Sequence, residues 1–421
     1  MGFAARHRNN TLCGMFVMFV AACMLGCSTT SKVGTTTPTP TPTPSPTPTP
    51  SPSYPSIPPE QITWTNKSKI PAPTAEDPAN TQWANGADDF PLAVSSPTAN
   101  GSVTSPLTVQ ASATPTNPIF FMRVYVDDVS VYYTASNSID TQIFAAPGAH
   151  SMIVMAEDTS GYISAIPINI TVSSQAQATI SGIQTMPGWQ SCSADFPASS
   201  QRAGQLCAAG NTNVPSSSMT EGVATPSMDG KSAQFSMSPP GGVANATYGY
   251  SNYLYFNPIA GGNSVSNFTY DLYFAIDHPD YPQALEFDVN QGFDDTTQPN
   301  GGNPIRYTWG SECNLKGDTP AGQWDIWNDS VGTWEATGIP CQASQFQPNA
   351  WNHLTWNLHR SGSYVYYDTL TVNGMVTPVN KSYTMQSGWT LEEIDTAFQM
   401  DLDEAGDPYN VWLDEVSLTA Y

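Results

Sequence analysis

Positively charged side chains are scarce in this chain of 421 residues. Lys and Arg number 12 against 35 Asp and Glu, so the formal net charge at pH 7 is −23. The few basic residues form no run, which argues against binding to nucleic acids or to anionic lipid headgroups. An acidic chain of this kind suits neutral glycans, bound calcium or solubility alone, and the sequence leaves these alternatives open.

Recognisable catalytic and metal-binding patterns are also missing. The chain has no HExxH, GxSxG, Walker loop or dinucleotide fingerprint, and no Ser-His-Asp ordering. Its five His residues are scattered, and neither CxxC nor a Cys/His spacing suited to zinc occurs. We therefore expect no cofactor other than calcium.

The first residues contain an apolar run that is too short to span a bilayer. Arg6 and Arg8 precede an uncharged segment, 11–25, which at about 1.5 Å per residue falls short of a hydrocarbon core of ~30 Å. This pattern predicts a secretory signal in residues 1–26. Met24-Leu25-Gly26-Cys27 resembles the lipobox of bacterial lipoproteins, which implies lipidation of Cys27 and a place in the bacterial cell envelope, facing the periplasm or the exterior. A cleaved signal with an incidental Cys27 is the alternative.

Proline and threonine dominate the next segment. From 35 to 59 nearly every second residue is proline, which predicts an extended polyproline II rod, because proline has a restricted φ and no N–H. At about 3.1 Å per residue the rod would reach roughly 75 Å. We interpret 27–93 as a disordered tether, joined to a membrane only through its lipid.

Residues 94–173 alternate between apolar and polar side chains in short segments typical of strands. The apolar rows are Leu107, Val109 and Ala111; Phe120, Met122, Val124 and Val126; Met152, Val154 and Ala156; and Ile166, Ile168, Ile170 and Val172. These rows predict two antiparallel sheets packed face to face. The stretches Gly101-Ser-Val-Thr-Ser-Pro-Leu and Tyr125-Val-Asp-Asp resemble bacterial immunoglobulin-like domains, which implies a spacer or adhesion module.

Residues 180–421 predict a larger β-sandwich. The stretch 268–276 alternates strictly, and Asn373-Gly374 after Asp368-Thr-Leu-Thr-Val predicts a hairpin. The segments Trp351-Asn-His-Leu-Thr-Trp and Val411-Trp-Leu-Asp-Glu-Val resemble concanavalin A-like jelly rolls, the fold of lectins and laminarinase-type glucanases. The whole chain is thus expected to be all-β, with an immunoglobulin-like sandwich followed by a concanavalin A-like sandwich on a Pro-rich stalk.

One strand of this second part carries candidate catalytic residues. Period-2 alternation from Ala284 onward places Glu286, Asp288 and Asn290 on one face. The core face then receives Leu285, Phe287 and Val289. Laminarinase-type enzymes, which this strand resembles, carry Glu-x-Asp-x-Glu or a bulged version, and the resemblance implies Glu286 as nucleophile with Asp288 assisting. Asn290, or Gln291 with a bulge, stands where the acid/base belongs and cannot donate a proton as an acid.

Retaining hydrolysis needs a second carboxyl about 5–5.5 Å from the nucleophile. The strand is therefore open to three interpretations: a catalytic site, a sugar-binding face on which Asn290 and Gln291 would also contact the ligand, or a structural polar face. Either functional interpretation predicts that Glu286 and Asp288 are exposed. A second polar row at Gln399 and Asp401 would, on the same cleft, add groups suited to hydroxyl-rich ligands. Asp403 and Asp414 are candidate calcium ligands, with a structural role such as turn capping as the alternative for Asp414.

Aromatic side chains crowd the stretch 309–334. Four tryptophans lie there: Trp309, Trp324, Trp327 and Trp334. We expect core packing to take at least two of them, and the polar context predicts that Trp324 or Trp327 is exposed as a platform for sugar rings. His353 and His359 alternate outward near several tyrosines, which keeps a polysaccharide lyase as an alternative.

Four cysteines follow Cys27, an even number that predicts two disulfides in an exported chain. Three pairings are possible. The pairs Cys192–Cys207 and Cys313–Cys341 close the shortest loops, and we expect these.

Taken together, these patterns favour a surface-anchored lipoprotein that binds extracellular polysaccharide through residues 180–421. The alternatives are a laminarinase-like hydrolase with Glu286 as nucleophile, a lyase, and a non-catalytic spacer or adhesin.

Lipidation at Cys27 can be tested directly. A palmitate analogue supplied to the cells should label the protein, and Cys27→Ala should release it into the medium, because the anchoring acyl chains are lost. Unlabelled wild-type protein in the membrane fraction would contradict lipidation.

Overall fold

A computed structural model describes residues 90–175, 177–192, 215–239, 251–295, 304–317, 320–387, 392–403 and 405–421. Apart from the short 3-10 helices Ile183–Thr185 and Ala343–Gln345, the regular elements of these ranges are strands, and the expected all-β sandwich class is confirmed. No helix among these residues is long and apolar enough to cross a membrane. The predicted signal, Cys27 and nearly all of the tether lie outside the described residues.

Eight strands make up the first part of the described chain. They are β1 (Leu92–Ser96), β2 (Gly101–Ser105), β3 (Leu107–Ala113), β4 (Ile119–Val126), β5 (Val129–Thr134), β6 (Ser138–Phe144), β7 (Gly148–Asp158) and β8 (Ile163–Gln175). The order β1-β3-β6 forms one layer and β2-β8-β7-β4-β5 the other. Val109, Val124, Val154 and Ile168 are buried between them, as the apolar rows predict.

Seventeen further strands form the second part. They are β9 (Ala178–Ser181), β10 (Gln190–Cys192), β11 (Ser216–Val223), β12 (Ser232–Ser238), β13 (Ser251–Gly262), β14 (Asn267–Ile276), β15 (Pro282–Asp295), β16 (Pro304–Trp309), β17 (Ser311–Asn314), β18 (Gln323–Asn328), β19 (Thr333–Pro340), β20 (Asn352–Ser361), β21 (Tyr364–Val372), β22 (Met375–Thr384), β23 (Gln386–Ser387), β24 (Glu393–Leu402) and β25 (Tyr409–Ala420).

Two sheets enclose the core of this second sandwich. One has the order β11-β12-β25-β14-β20-β21-β22, with β9 added beside β25. In the other, β10-β13-β24-β15 continues into β16 and β17, and then into β18 and β19. Phe274 of the first sheet meets Phe287 of the second with ring centroids 5.4 Å apart. Alternation in β14 and β15 therefore predicts the core faces correctly.

The hairpin expected at Asn373-Gly374 joins β21 to β22. Both residues have positive φ, 50° and 81°, as a two-residue turn that matches strand twist requires. Cys313 and Cys341 form the expected disulfide, which ties β17 to the chain just after β19. Cys207 lies outside the described residues, so the pair Cys192–Cys207 stays a prediction.

The two sandwiches meet through paired strands. β6 runs parallel to the end of β13, with Ala260 opposite Gln142, and β5 pairs with the end of β15. A Cβ on Gly261 would lie 2.4 Å from the carbonyl oxygen of Val131, so no side chain fits there. The buried Arg123 guanidinium lies 3.7 Å from the Glu392 carboxylate and 4.5 Å from the centre of the Phe121 ring.

Gly261→Ala should destabilise both sandwiches together, because the added methyl meets main-chain atoms that cannot rotate away. In calorimetry of the full chain we expect one cooperative thermal transition. The free energy of unfolding should fall by roughly 1–3 kcal/mol, as for other overpacked sites. The exposed change Ala93→Ser serves as the control. Two separate transitions, only one of them shifted, would show that 94–173 and 180–421 fold independently.

Candidate functional site

Glu286, Asp288 and Asn290 lie on one face of β15, as the alternation predicts. The pairing of β15 with β24 is unbroken from Ala284 to Gly292. The bulged alternative is therefore wrong, and Asn290 occupies the third position. Gln291 lies on the opposite side, where its amide donates to the carbonyl oxygens of Gly262 at 2.8 Å and Val265 at 3.1 Å.

Neighbouring strands surround these groups with more carboxylates. Glu286 stands opposite Gln399 of β24 on one side and Glu312 of β17 on the other, and Glu312 stands opposite Asp325 of β18. We call this set the carboxylate layer; its members are Glu286, Asp288, Glu312, Asp325, Asp395 and Asp401.

Amide side chains connect the carboxylate layer internally. Gln399 donates to Glu286 and, at 3.0 Å, to Asp401. Asn290 donates to Asp395 at 2.8 Å, and Asn314 to Asp325 at 2.7 Å. The amides proposed as sugar ligands, Asn290 and Gln399, thus hold carboxylates of the protein itself.

The exposure expected for this face is wrong. Glu286 is 2% exposed, Asp288 0% and Asp401 5%. Alternation along one strand shows which side chains share a face, but it does not show what adjacent strands place beside them. Here those strands supply carboxylates and amides that crowd the same layer. A catalytic or sugar-binding role for these residues stays a prediction.

Three members of the carboxylate layer could hold a hard cation. Glu286, Glu312 and Asp401 each offer an oxygen, and the three oxygens lie within 4.8 Å of one another. Oxygen ligands of this kind suit calcium. Sequence reasoning missed Glu312, whose only signal was its alternation with the buried Cys313.

The two calcium candidates named from sequence have other contacts. Asp403 lies 2.7 Å from the Lys316 ammonium and accepts from two backbone N–H groups of its own turn. Asp414 is fully buried and accepts through both oxygens, from Gln184 at 3.2 Å and Ser227 at 2.7 Å among others. These bonds match the structural alternative for Asp414.

Burial dominates the electrostatics of Asp288. Desolvation raises the pKa of its carboxyl well above the usual range, and the nearby Asp395 raises it further. A hydrogen bond from the Ser311 N–H, at 3.1 Å, and the Arg306 charge oppose this shift without cancelling it. Burial thus disfavours the charged form of this carboxyl in the folded protein relative to the unfolded chain.

The tryptophan cluster belongs mostly to the interior. Trp309, Trp324 and Trp327 are buried, which confirms that core packing takes at least two of the four. The exposure predicted for Trp324 or Trp327 is wrong. Trp324 packs edge-on against Trp356 across the core, and the Trp327 N–H donates to Asp329 at 3.0 Å. The polar groups beside these tryptophans thus bond to buried partners and not to solvent.

A different face of the second sandwich is open to solvent. We call it the outer face; it comprises the outward side chains Thr269, Asp271, Tyr273, His353, Thr355, Asn357, His359, Tyr366, Asp368 and Thr369 of β14, β20 and β21. Each of them is partly exposed. His353 and His359 point outward, as their alternation predicts.

Two similar ring stacks lie at opposite ends of the outer face. His353 stacks on Tyr273 and bonds Asp271 at 2.8 Å, while His359 stacks on Tyr366 and bonds Asp368 at 2.7 Å. Within each stack the two ring centroids are 4.3 Å apart and the ring planes lie within 7° of parallel. The two histidines are six positions apart on one strand, about 20 Å at the usual rise.

Hydrogen bonds between strands order the surface between these stacks. Thr269 donates to Asn357 at 2.9 Å, and Asn357 donates to Thr369 at 2.9 Å, so one chain of bonds crosses three strands. Thr355 donates to Asp271 at 2.5 Å. The result is a surface of hydroxyl and amide groups in set orientations.

Comparison with known proteins gives similarity of fold only. No family model matches the chain, and no curated protein matches it. A solved carbohydrate-binding module of the β-sandwich superfamily aligns at 12% identity over 78% of this chain and 95% of its own, with a TM-score of 0.25. Peanut lectin aligns at 12% identity over 58% of this chain and 99% of its own, with a TM-score of 0.29. The alginate lyase Aly36B aligns at 11% identity over 57% of this chain and 97% of its own, with a TM-score of 0.28. Similarity this low transfers no activity.

Asp288→Asn should stabilise the protein at neutral pH. Because folding raises the pKa of the Asp288 carboxyl, the parent protein loses stability as the pH rises from the ordinary aspartate range to the raised pKa. Above the raised pKa the full loss of stability remains. Asparagine keeps the neutral shape and can accept the Ser311 bond. We expect a melting temperature several degrees above the parent's at pH 7, with the gap closing toward pH 4.

The exposed substitution Asp280→Asn is the control, measured in the same pH series. A melting temperature for Asp288→Asn below the parent's at pH 7 would show that the structure depends on the charged carboxylate.

Proposed function

We propose that this protein binds extracellular polysaccharide through its second sandwich, and that the outer face is the binding surface. The observation that supports this most is the chain of side-chain hydrogen bonds from Thr269 through Asn357 to Thr369, placed between two ring stacks. Polysaccharides present rows of hydroxyl groups, and an ordered surface of hydroxyls and amides can pair with them over several sugar units.

Side chains on the outer face are held before any ligand arrives. Binding normally costs about 0.5–1.5 kcal/mol for each flexible side chain that must be ordered. Thr and Asn have few rotamers, and their bonds to one another restrict them further. Each threonine hydroxyl that donates to a neighbour still has lone pairs that can accept from a sugar. The surface therefore loses little entropy on binding.

The charges of the outer face favour a neutral ligand. Its carboxylates, Asp271 and Asp368, each bond an imidazole, and its described outward positions include no Lys, Arg or Glu. The chain as a whole has a net charge of −23, which repels anionic polymers. A neutral polysaccharide fits both observations.

The enzymatic alternatives have less support. Hydrolysis at Glu286 would require a substrate to reach a side chain that is 2% exposed. For a lyase, His359 and Tyr366 do form a pair, but the adjacent Arg360 bonds Gln291 at 2.7 Å and the carbonyl oxygen of Val265 at 3.0 Å. An arginine held there does not reach a substrate on the outer face.

The envelope location is part of the same proposal. A lipid on Cys27 and a Pro-rich tether would present the outer face at a distance from a membrane, where polysaccharide is found. Each buried CH₂ of the lipid contributes about 0.8 kcal/mol to anchoring.

The double substitution Asn357→Ala with His359→Ala should weaken polysaccharide binding roughly 5- to 30-fold, as expected for the loss of one or two net hydrogen bonds. Thr108→Ala is the control, because Thr108 is an exposed residue of β3 in the first sandwich and not part of the outer face. Sedimentation with insoluble neutral glucans and mannans measures the binding, and circular dichroism checks the fold.

Reducing-end release is measured in the same samples. Release that Glu286→Gln abolishes would favour the hydrolase. Failure to bind any polysaccharide would favour the spacer or adhesin.

A further inference from the structure

A second open site lies at the edge of the eight-stranded sheet, where β11, β12 and the start of β25 meet the loop after β14. It is a pocket of about 460 Å³, which we call the serine pocket. Its polar lining includes Ser216, Ser218, Ser236, Ser238, Asp277 and His278. It shares none of these residues with the outer face. The volume lies within the range of small-ligand sites, about 300–1,000 Å³.

The carboxylate of the serine pocket is held in one orientation. Asn410 donates to Asp277 twice, from its backbone at 2.8 Å and from its side-chain amide at 2.6 Å. The amide oxygen of Asn410 in turn accepts from Ser236 at 2.6 Å and Gln234 at 3.1 Å. Each carboxylate oxygen keeps a second acceptor site. Asp277 can therefore accept bonds from a ligand without rearranging.

A ring lies at the rim of the pocket. His278 is exposed, and its imidazole stacks on Tyr281 with centroids 4.4 Å apart and planes 10° apart. Tyr281 packs against the core of the sandwich, so it supports the imidazole from below. A ring held in this way offers a flat face beside hydrogen-bonding groups, the combination that suits a sugar ring.

The composition of the lining restricts the class of ligand. Among the described residues that line the pocket there is no Lys or Arg, and the Asp277 carboxylate repels anions. Serine hydroxyls both donate and accept, so they pair with the hydroxyl groups of a sugar in either direction. Apolar ligands would leave these groups without partners at a cost of about 1–3 kcal/mol each.

We infer that the serine pocket binds a neutral monosaccharide, or the terminal sugar of a glycan, with Asp277 accepting from adjacent hydroxyls. This site goes beyond the proposed function, because it takes a single sugar unit whereas the outer face takes an extended chain. The protein would then contact a glycan in two places.

Ser218→Trp tests the inference, because an indole at this exposed position would fill the pocket. Thr220→Trp is the matched control; Thr220 is exposed two positions along the same strand and does not line the pocket. Isothermal titration uses the methyl glycosides of glucose, galactose, mannose and N-acetylglucosamine. We expect at least one to saturate the parent protein and Thr220→Trp, with affinity at least ten-fold lower in Ser218→Trp.

His278→Ala is the second variant, and it should weaken the same glycoside several-fold while the fold is retained. The inference is overturned if none of the four glycosides saturates the parent protein, or if both Ser218→Trp and His278→Ala bind as the parent does. Sedimentation with insoluble polysaccharide distinguishes binding at the serine pocket from binding at the outer face. If Ser218→Trp blocks only the serine pocket, the variant protein should sediment with the polysaccharide as the parent protein does.

Discussion

The aromatic layer between the two sheets of the second sandwich is the interaction on which the rest of the structure depends. Phe287 lies within it, 5.4 Å from the ring centres of both Phe274 and Phe398 and 6.0 Å from Trp324. Burial of large rings contributes the most stabilising area per residue. Because side chains alternate along a strand, the residues between these rings point to the other side of each sheet, and in β14 and β15 most of those residues are polar.

The two polar layers differ in their surroundings. On the sheet containing β15, neighbouring strands add carboxylates and amides that bury one another, and β5 and β6 of the first sandwich continue the same sheet. On the opposite sheet, short hydroxyl and amide side chains remain partly exposed and bond across the strands. The burial of one polar layer and the exposure of the other locate the proposed binding surface.

Much of the fold follows from local patterns. The core face of β15, the hairpin at Asn373-Gly374 and the pair Cys313–Cys341 were all predictable, because each depends on neighbours in sequence or on a short loop. The candidate site was predictable only in part. Glu286 and Asp288 do share a face, but Glu312 comes from another strand, and no pattern in the chain indicates that it stands opposite Glu286.

The sequence by itself determined which side chains share a strand face, since the two-residue period of a strand is a property of the backbone. The tertiary structure alone decided which faces meet solvent, because burial depends on strands far apart in the chain. For this reason Trp324 and Trp327 are interior despite polar neighbours. For the same reason Asp277 and Asn410, 133 positions apart, lie within hydrogen-bonding distance at one pocket.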